Sequence, residues 1–98
     1  MVDLDEAKKI LREFGLTENA RTGDGKFYYF HDVMENPVQV IHAELDIENG
    51  CIEFSSIIGM MTLSTGRCSF PHPKMKQIIN QLRCCSYAAE CERLRLLN

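Results

Sequence analysis

The sequence lacks the features that would place it in a membrane or on a secretory route. No apolar run approaches the roughly 20 residues of a membrane-spanning helix. Residues 1–6 are acidic and lack the basic-then-apolar pattern of a signal peptide. Five cysteines, an odd number, favour reduced thiols over a secreted disulfide scaffold. We therefore expect a cytoplasmic protein with no membrane contact, in which residues 1–98 form a single domain.

Motifs for nucleotide and zinc chemistry are also missing. Neither G-x-G-x-x-G nor the P-loop pattern occurs, and no cysteines stand as C-x-x-C. Cys68 and His72 precede three further cysteines, but Cys84 and Cys85 would project about 100° apart on a helix. Those two and Cys91 lie away from the helix N-terminus that would activate a thiol. Small buried thiols are the simpler interpretation, and we expect no enzymatic activity, no metal and no cofactor.

Acidic and basic residues are divided unevenly along the chain. Residues 1–53 contain twelve acidic and five basic side chains, and residues 54–98 contain two acidic and six basic. The resulting charges of −7 and +4 sum to the net charge of −3. Either the two halves balance each other inside the domain, or an acidic surface meets a basic partner. A net acidic chain does not suit a phosphate backbone, so we expect no nucleic-acid partner.

The strongest local signal is a β-hairpin across Asn49-Gly50, between apolar-rich runs at 38–48 and 51–58. A two-residue turn predicts that Glu48 pairs with Cys51. Alternation then gives a core face of Ile41, Ala43, Leu45, Ile47, Ile52, Phe54 and Ile58, with Ser56. The other face carries Glu44, Asp46 and Glu53, with Asp46 opposite Glu53. That acidic face is either solvated or a site for a cation or a basic partner.

Helix and strand signals on either side of the hairpin complete the predicted fold. Asp3 suits the N-cap of an amphipathic helix that ends at Phe14, before Gly15. Residues 26–31 favour a strand, with residues 18–22 as a weaker partner. Residues 74–97 read as one long helix whose apolar arc widens toward its end, which indicates cover by a second copy. The fold class is α+β: an N-terminal helix, a three- to four-stranded antiparallel sheet and a long C-terminal helix.

The aromatic run 27–30 is a second candidate surface. Phe27 and Tyr29 point to one side of the predicted strand, and Tyr28 and Phe30 to the other. An exposed aromatic patch indicates a docking surface for a peptide or protein. The alternative is that both faces are covered in the fold.

This order of elements resembles the class I type III secretion chaperones, the Tir chaperone (CesT-like) family. The resemblance is carried by Gly15-Leu16 after the first helix, Asp24-Gly25 before the aromatic strand, and Ser56-Ile57-Ile58-Gly59 after the hairpin. The family usually continues past its second helix with two strands and a last helix, whereas this sequence stops at Asn98.

The resemblance implies a small, acidic, non-enzymatic homodimer that holds an extended segment of a partner protein, such as a secreted effector. By position, the partner-binding groove would be formed by Leu11, Phe14, Phe27 and Tyr29. The dimer contact would be formed by Leu82, Cys85 and Cys91.

A different function remains open from the residues alone. A small inhibitor, immunity or phage protein would block a basic site of a toxin or nuclease. Its binding surface would be the acidic strand face of Glu44, Asp46 and Glu53.

Overall fold

The computed structural model describes residues 2–19, 25–35, 39–62, 65–84 and 87–97. Over these ranges the chain forms three helices and six strands. In chain order they are α1 (Leu4–Glu13), β1 (Thr17–Glu18), β2 (Phe27–Met34), β3 (Gln39–Asp46), β4 (Cys51–Ile58), β5 (Met61–Thr62), β6 (Gly66–Ser69), α2 (Met75–Cys84) and α3 (Tyr87–Leu97). The predicted α+β class is confirmed.

The strands form one antiparallel sheet that is larger than the predicted three or four strands. Its order is β1-β2-β3-β4-β5, and β6 pairs with the same edge of β4 as β5 does. β5 pairs with Ile57 and Ile58 of that edge, and β6 pairs with residues 51–54. The extra strands β5 and β6 lie within residues 59–73, an unassigned segment for which the sequence predicts no element, since two to four residues give too little pattern to recognise. The predicted partner strand 18–22 lies mostly outside the described residues.

The β3–β4 hairpin is confirmed, but its predicted register is wrong. Asp46 pairs with Cys51 and Ile41 with Ser56, so residues 47–50 form a four-residue turn. The Asp46 carboxylate accepts hydrogen bonds from the Asn49 backbone N at 3.1 Å and from Asn49 Nδ2 at 2.8 Å. These bonds stabilise the longer turn. Because the register shift is two residues, every side chain keeps its predicted face.

The face predicted as core lies beneath α1 and α2. Its residues from Ile41 to Phe54 are buried and Ser56 is buried with them, while Ile58 is half-buried. α1 contributes Ala7 and Leu11, and α2 contributes Met75, Ile78, Ile79 and Leu82. A buried amide joins the layers, since Gln39 Nε2 donates to Ser56 Oγ at 2.8 Å and to the Leu82 carbonyl at 2.6 Å.

The predicted single C-terminal helix is two helices. α2 ends at Cys84 and α3 begins at Tyr87, and α3 packs against α2 and β6. Because α3 folds back against α2 and β6, its residues Ala89, Arg93 and Leu96 are buried. A Cβ atom on Gly66 of β6 would overlap Leu97 and lie 3.0 Å from Arg93 Nη1, so the approach is close. The chain itself therefore covers only part of the widening apolar arc, since Cys84, Cys91 and Leu94 are exposed. No helix in the described ranges is long and apolar enough to cross a membrane.

Candidate functional site

One stripe of α1 borders two depressions in the helix layer. Positions 3, 6, 7 and 10 line the larger depression, and positions 13 and 14 line the smaller one. Steps of three and four residues place all six positions along one side of the helix. Leu11, on the neighbouring side, packs into the sheet. α1 therefore uses one side for the core and presents another to a groove.

We call the larger depression the α1 groove. It measures about 360 Å³. It is lined by Val2, Asp3, Glu6, Ala7, Ile10, Phe70 and Pro71. Five of these seven side chains are apolar, and the two carboxylates come from the first turn of α1 and its cap. The groove thus joins an apolar floor to an acidic rim.

The walls of the α1 groove are tied to the β3–β4 turn. Val2 N donates to the Ile47 carbonyl at 3.2 Å, and Phe70 N donates to the Gly50 carbonyl at 2.8 Å. Asp3 caps α1, because its Oδ1 accepts from the backbone N of Asp5 at 3.0 Å and of Glu6 at 3.3 Å. Backbone bonds from one turn therefore hold both sides of the groove in place.

The smaller depression, which we call the α1–α2 depression, measures about 90 Å³. It is lined by Glu13, Phe14, Lys76, Ile79, Asn80 and Arg83. Arg83 closes one end of it, since Nη2 donates to the Phe14 carbonyl at 2.6 Å. Both signs of charge line this space.

The four residues predicted to form a partner-binding groove do not come together. Leu11 is 0% exposed and belongs to the core, so it cannot contact a partner. Phe14 is half-buried at the α1–α2 depression. Phe27 and Tyr29 alternate with the core residue Phe30 and therefore lie on the opposite face of the sheet from α1. The four side chains were predicted to share one surface, but they lie on opposite sides of the sheet.

The predicted acidic face loses one of its three members. Asp46 is only 4% exposed, and hydrogen bonds from Asn49 to its carboxylate lower the pKa of Asp46 below its ordinary value. Asp46 opposes Cys51 rather than Glu53, which corrects the predicted pairing. Glu44 and Glu53 do oppose each other, and Arg67 of β6 stands opposite Glu53 on its other side.

The structure removes one of the three residues predicted to form the dimer contact. Leu82 is 2% exposed and packs in the core under the sheet, so it is not available to a second copy. Cys91 is exposed on α3, and Cys85 lies outside the described residues.

The cysteine and histidine pair at 68 and 72 is used structurally. Burial raises the pKa of the Cys68 thiol to about 11, with a further contribution from nearby Cys51. His72 Nδ1 accepts from Lys74 N at 3.1 Å, just before α2 begins. Within the described ranges, no three His, Cys, Asp or Glu residues form a group that could hold a metal ion.

The sequence interpretation missed the residues that build the α1 groove from outside α1. Phe70 and Pro71 lie in the unassigned segment, and Val2 precedes the helix. The available signal was Ile10, which lies beside the apolar positions 4, 7, 11 and 14 of α1 and widens the apolar arc of that helix.

No protein-family model matches the chain, and no curated protein or solved structure is significantly similar to it. The resemblance to secretion chaperones therefore stays a prediction.

Proposed function

We propose that this protein is a non-enzymatic binding protein that holds a short segment of a partner protein in the α1 groove. Its mode of action would be chaperone-like, in the manner of the secretion chaperones that the sequence resembles. The observation that carries the proposal is the α1 groove itself, an apolar depression of about 360 Å³ with walls tied to the β3–β4 turn.

Preformed walls support binding because little order has to be gained when a ligand enters. Loops and side chains that become fixed on association reduce affinity, and a groove held by backbone hydrogen bonds avoids that cost. Apolar contacts such as those of Ile10 and Phe70 would supply the affinity. The proposed binding surface is therefore this side of α1 rather than the four residues predicted from the sequence.

The acidic strand face gives weaker support to the inhibitor alternative. The Asp46 carboxylate is engaged by Asn49, and Arg67 stands beside Glu53. The Glu44 carboxylate alone would give little electrostatic attraction to a strongly basic site.

The proposal needs only one copy of the chain. A monomeric protein of 11.2 kDa is expected to expose about 5,700 Å². The chain exposes 5913 Å², which is close to that value. A homodimer, if one forms, would have to use exposed side chains such as Cys91 and Leu94 on α3.

Selection from a random peptide library, displayed against the full chain, tests the proposal. Selected peptides should bind the unaltered protein and shift the NMR signals of Val2, Ile10 and Phe70. Ile10→Gln, which makes a half-buried groove side chain polar, should weaken them about tenfold or more, the equivalent of about 1.4 kcal/mol. Leu94→Gln is the matched control, because it makes the same change on α3.

Two outcomes would overturn the proposal. One is that no peptide is selected by the unaltered protein. The other is that the selected peptides tolerate Ile10→Gln as well as they tolerate Leu94→Gln, with signal shifts confined to the sheet face that carries Tyr29.

A further inference from the structure

We propose that the segment held in the α1 groove is basic. One or two large apolar side chains of the partner fill the floor, and adjacent lysine or arginine side chains bind the carboxylates of Asp3 and Glu6. This inference rests on the proposed function and adds the chemistry of the ligand to it. The groove supplies the site, and the charges along its rim identify the occupant.

The floor sets the apolar part of the ligand. Val2, Ala7, Ile10, Phe70 and Pro71 all line the groove, so an inserted side chain would meet hydrocarbon both from the N-terminal part of the chain and from residues 70–71. A volume of about 360 Å³ lies at the lower end of the roughly 300–1,000 Å³ of ligand pockets. That size suits one or two bulky side chains of a chain lying along the groove.

The rim sets the charge of the ligand. Among the residues that the structure describes, Asp3 and Glu6 are the only ionisable groups that line the α1 groove, and both are exposed. Asp5 adds a third carboxylate in the first turn of α1. The N-terminal end of a helix carries only about half a positive charge, so three carboxylates leave this end of α1 clearly negative.

The α1–α2 depression offers no such preference. It is lined by Glu13 but also by Lys76 and Arg83, so the charges there balance or favour an anion. The inference therefore concerns the α1 groove alone, and Glu13 provides a control position on the same helix.

A second copy of this chain is a poorer occupant than a basic partner segment. The chain has its own basic and apolar run on α3, at residues 93–97. In the folded chain Arg93 is fully buried and Arg95 is paired with Glu92, while Leu96 is in the core. For residues 93–97 to bind the groove of another copy, α3 would have to detach from α2 and β6.

Two short synthetic peptides test the inference on the full chain. Both carry the same leucine and phenylalanine anchors, and the positions between them are lysine in one peptide and glutamate in the other. By fluorescence anisotropy at low salt, the lysine peptide should bind about tenfold more tightly, from roughly two surface ion pairs. The preference should shrink between about 0.05 and 0.5 M salt, which shortens the Debye length from roughly 14 to 4 Å.

Charge reversal then locates the effect. Glu6→Lys should weaken the lysine peptide about three- to tenfold and strengthen the glutamate peptide. Glu13→Lys makes the same change in net charge seven residues further along α1, about 10 Å away. At about 0.15 M salt, where the Debye length is roughly 8 Å, it should change the affinity less than about twofold. Equal effects of the two reversals would mean attraction to the net charge of the chain, and would overturn the inference.

The remaining outcomes separate this inference from the proposed function. If the two peptides bind equally and Ile10→Gln weakens both, the groove holds segments but has no preference for basic ones. If neither peptide binds below millimolar concentration, the groove is not a site for protein segments and both proposals fail.

Discussion

Arg83 on α2 binds Asp32 on β2 through two nitrogens, with Nε and Nη2 each 3.1 Å from Oδ2. The same Nη2 donates to the carbonyl of Phe14, the residue that caps the end of α1. One guanidinium therefore joins both helices of the layer to the sheet. It also supplies a cation at the negative C-terminal end of α1.

We predict that Arg83→Ala lowers the free energy of unfolding by about 1–2 kcal/mol, because a half-buried carboxylate and a helix-end carbonyl both lose a charged donor. Arg83→Lys should recover only part of this loss, since an ammonium group cannot reproduce the planar fork. Urea denaturation measures both. Lys76→Ala on the same helix is the control, and an equal effect of the two alanine variants would contradict the role assigned to Arg83.

Gly15→Ala should also destabilise the fold. Gly15 has a φ of 89°, and a Cβ atom there would lie 2.5 Å from Arg83 Nη2. Left-handed backbone strain and displacement of the guanidinium together should cost about 1–3 kcal/mol. Gly59→Ala has positive φ with nothing within 4 Å of the added Cβ and is the control for strain alone. In an Arg83→Ala background the cost of Gly15→Ala should fall, and additive effects would exclude the contact.

Leu82→Ala should cost about 2–5 kcal/mol, because it leaves a cavity in the core. Leu94→Ala, the same change at a residue 36% exposed, should stay within about 0.5 kcal/mol. Denaturation at two protein concentrations a decade apart, with light scattering for molecular mass, checks the interpretation. A loss for Leu82→Ala that depends on concentration would restore Leu82 as a dimer contact.

The stability that Asp46 provides should depend on pH. Its folded-state pKa is below the ordinary value of 3.8, mainly because the Asn49 side chain donates to the carboxylate. The stabilisation is therefore complete above about pH 4 and is lost as the pH falls through the lower, folded-state pKa. Asp46→Ala should be less stable than the unaltered chain at pH 7, and the difference should narrow below pH 4. Glu48→Ala, in the same turn, is the control; a difference that stays constant down to pH 2 would refute the prediction.

Cysteine alkylation should distinguish buried from exposed thiols. Burial raises the pKa of Cys68 to about 11, so few Cys68 thiolates exist at pH 8 and reagents reach them poorly. Iodoacetamide followed by peptide mass spectrometry should show Cys84 and Cys91 modified first, with Cys68 reacting only as the chain unfolds. Labelling of Cys68 at the rate of Cys91 in the folded protein would disprove its burial.

The hairpin shows which parts of the fold follow from sequence pattern. Alternation identified the core face from Ile41 to Phe54 correctly even though the register was wrong, because a shift of two residues preserves faces. The turn length did not follow from Asn49-Gly50. It depends on the bonds of Asp46 to Asn49 and on a bond from Ile47 N to the Lys26 carbonyl, which is distant in sequence.

The C-terminal region shows the opposite case. Helical periodicity correctly predicted helical structure in this region and the burial of Met75, Ile78, Ile79 and Leu82, but it did not predict that the chain forms two helices there. The docking of α3 depends on β6, whose glycine at position 66 admits Arg93 and Leu97 at close range. A strand of four residues gives too short a pattern to be recognised before the fold is known.

For the candidate site, the sequence by itself determined the chemistry of α1: an Asp3 cap, an acidic first turn and an apolar arc along one side of the helix. Only the tertiary structure decided which side of that arc is core and which is groove. Leu11 belongs to the core, whereas Ile10 lines the groove together with Phe70 and Pro71, and Phe70 N donates a hydrogen bond to the β3–β4 turn. The periodicity of apolar residues in α1 is local, so it can be read from the sequence. A groove also needs a second wall, which other parts of the chain must supply. That wall comes from residues about 60 positions away, whose location depends on long-range hydrogen bonds.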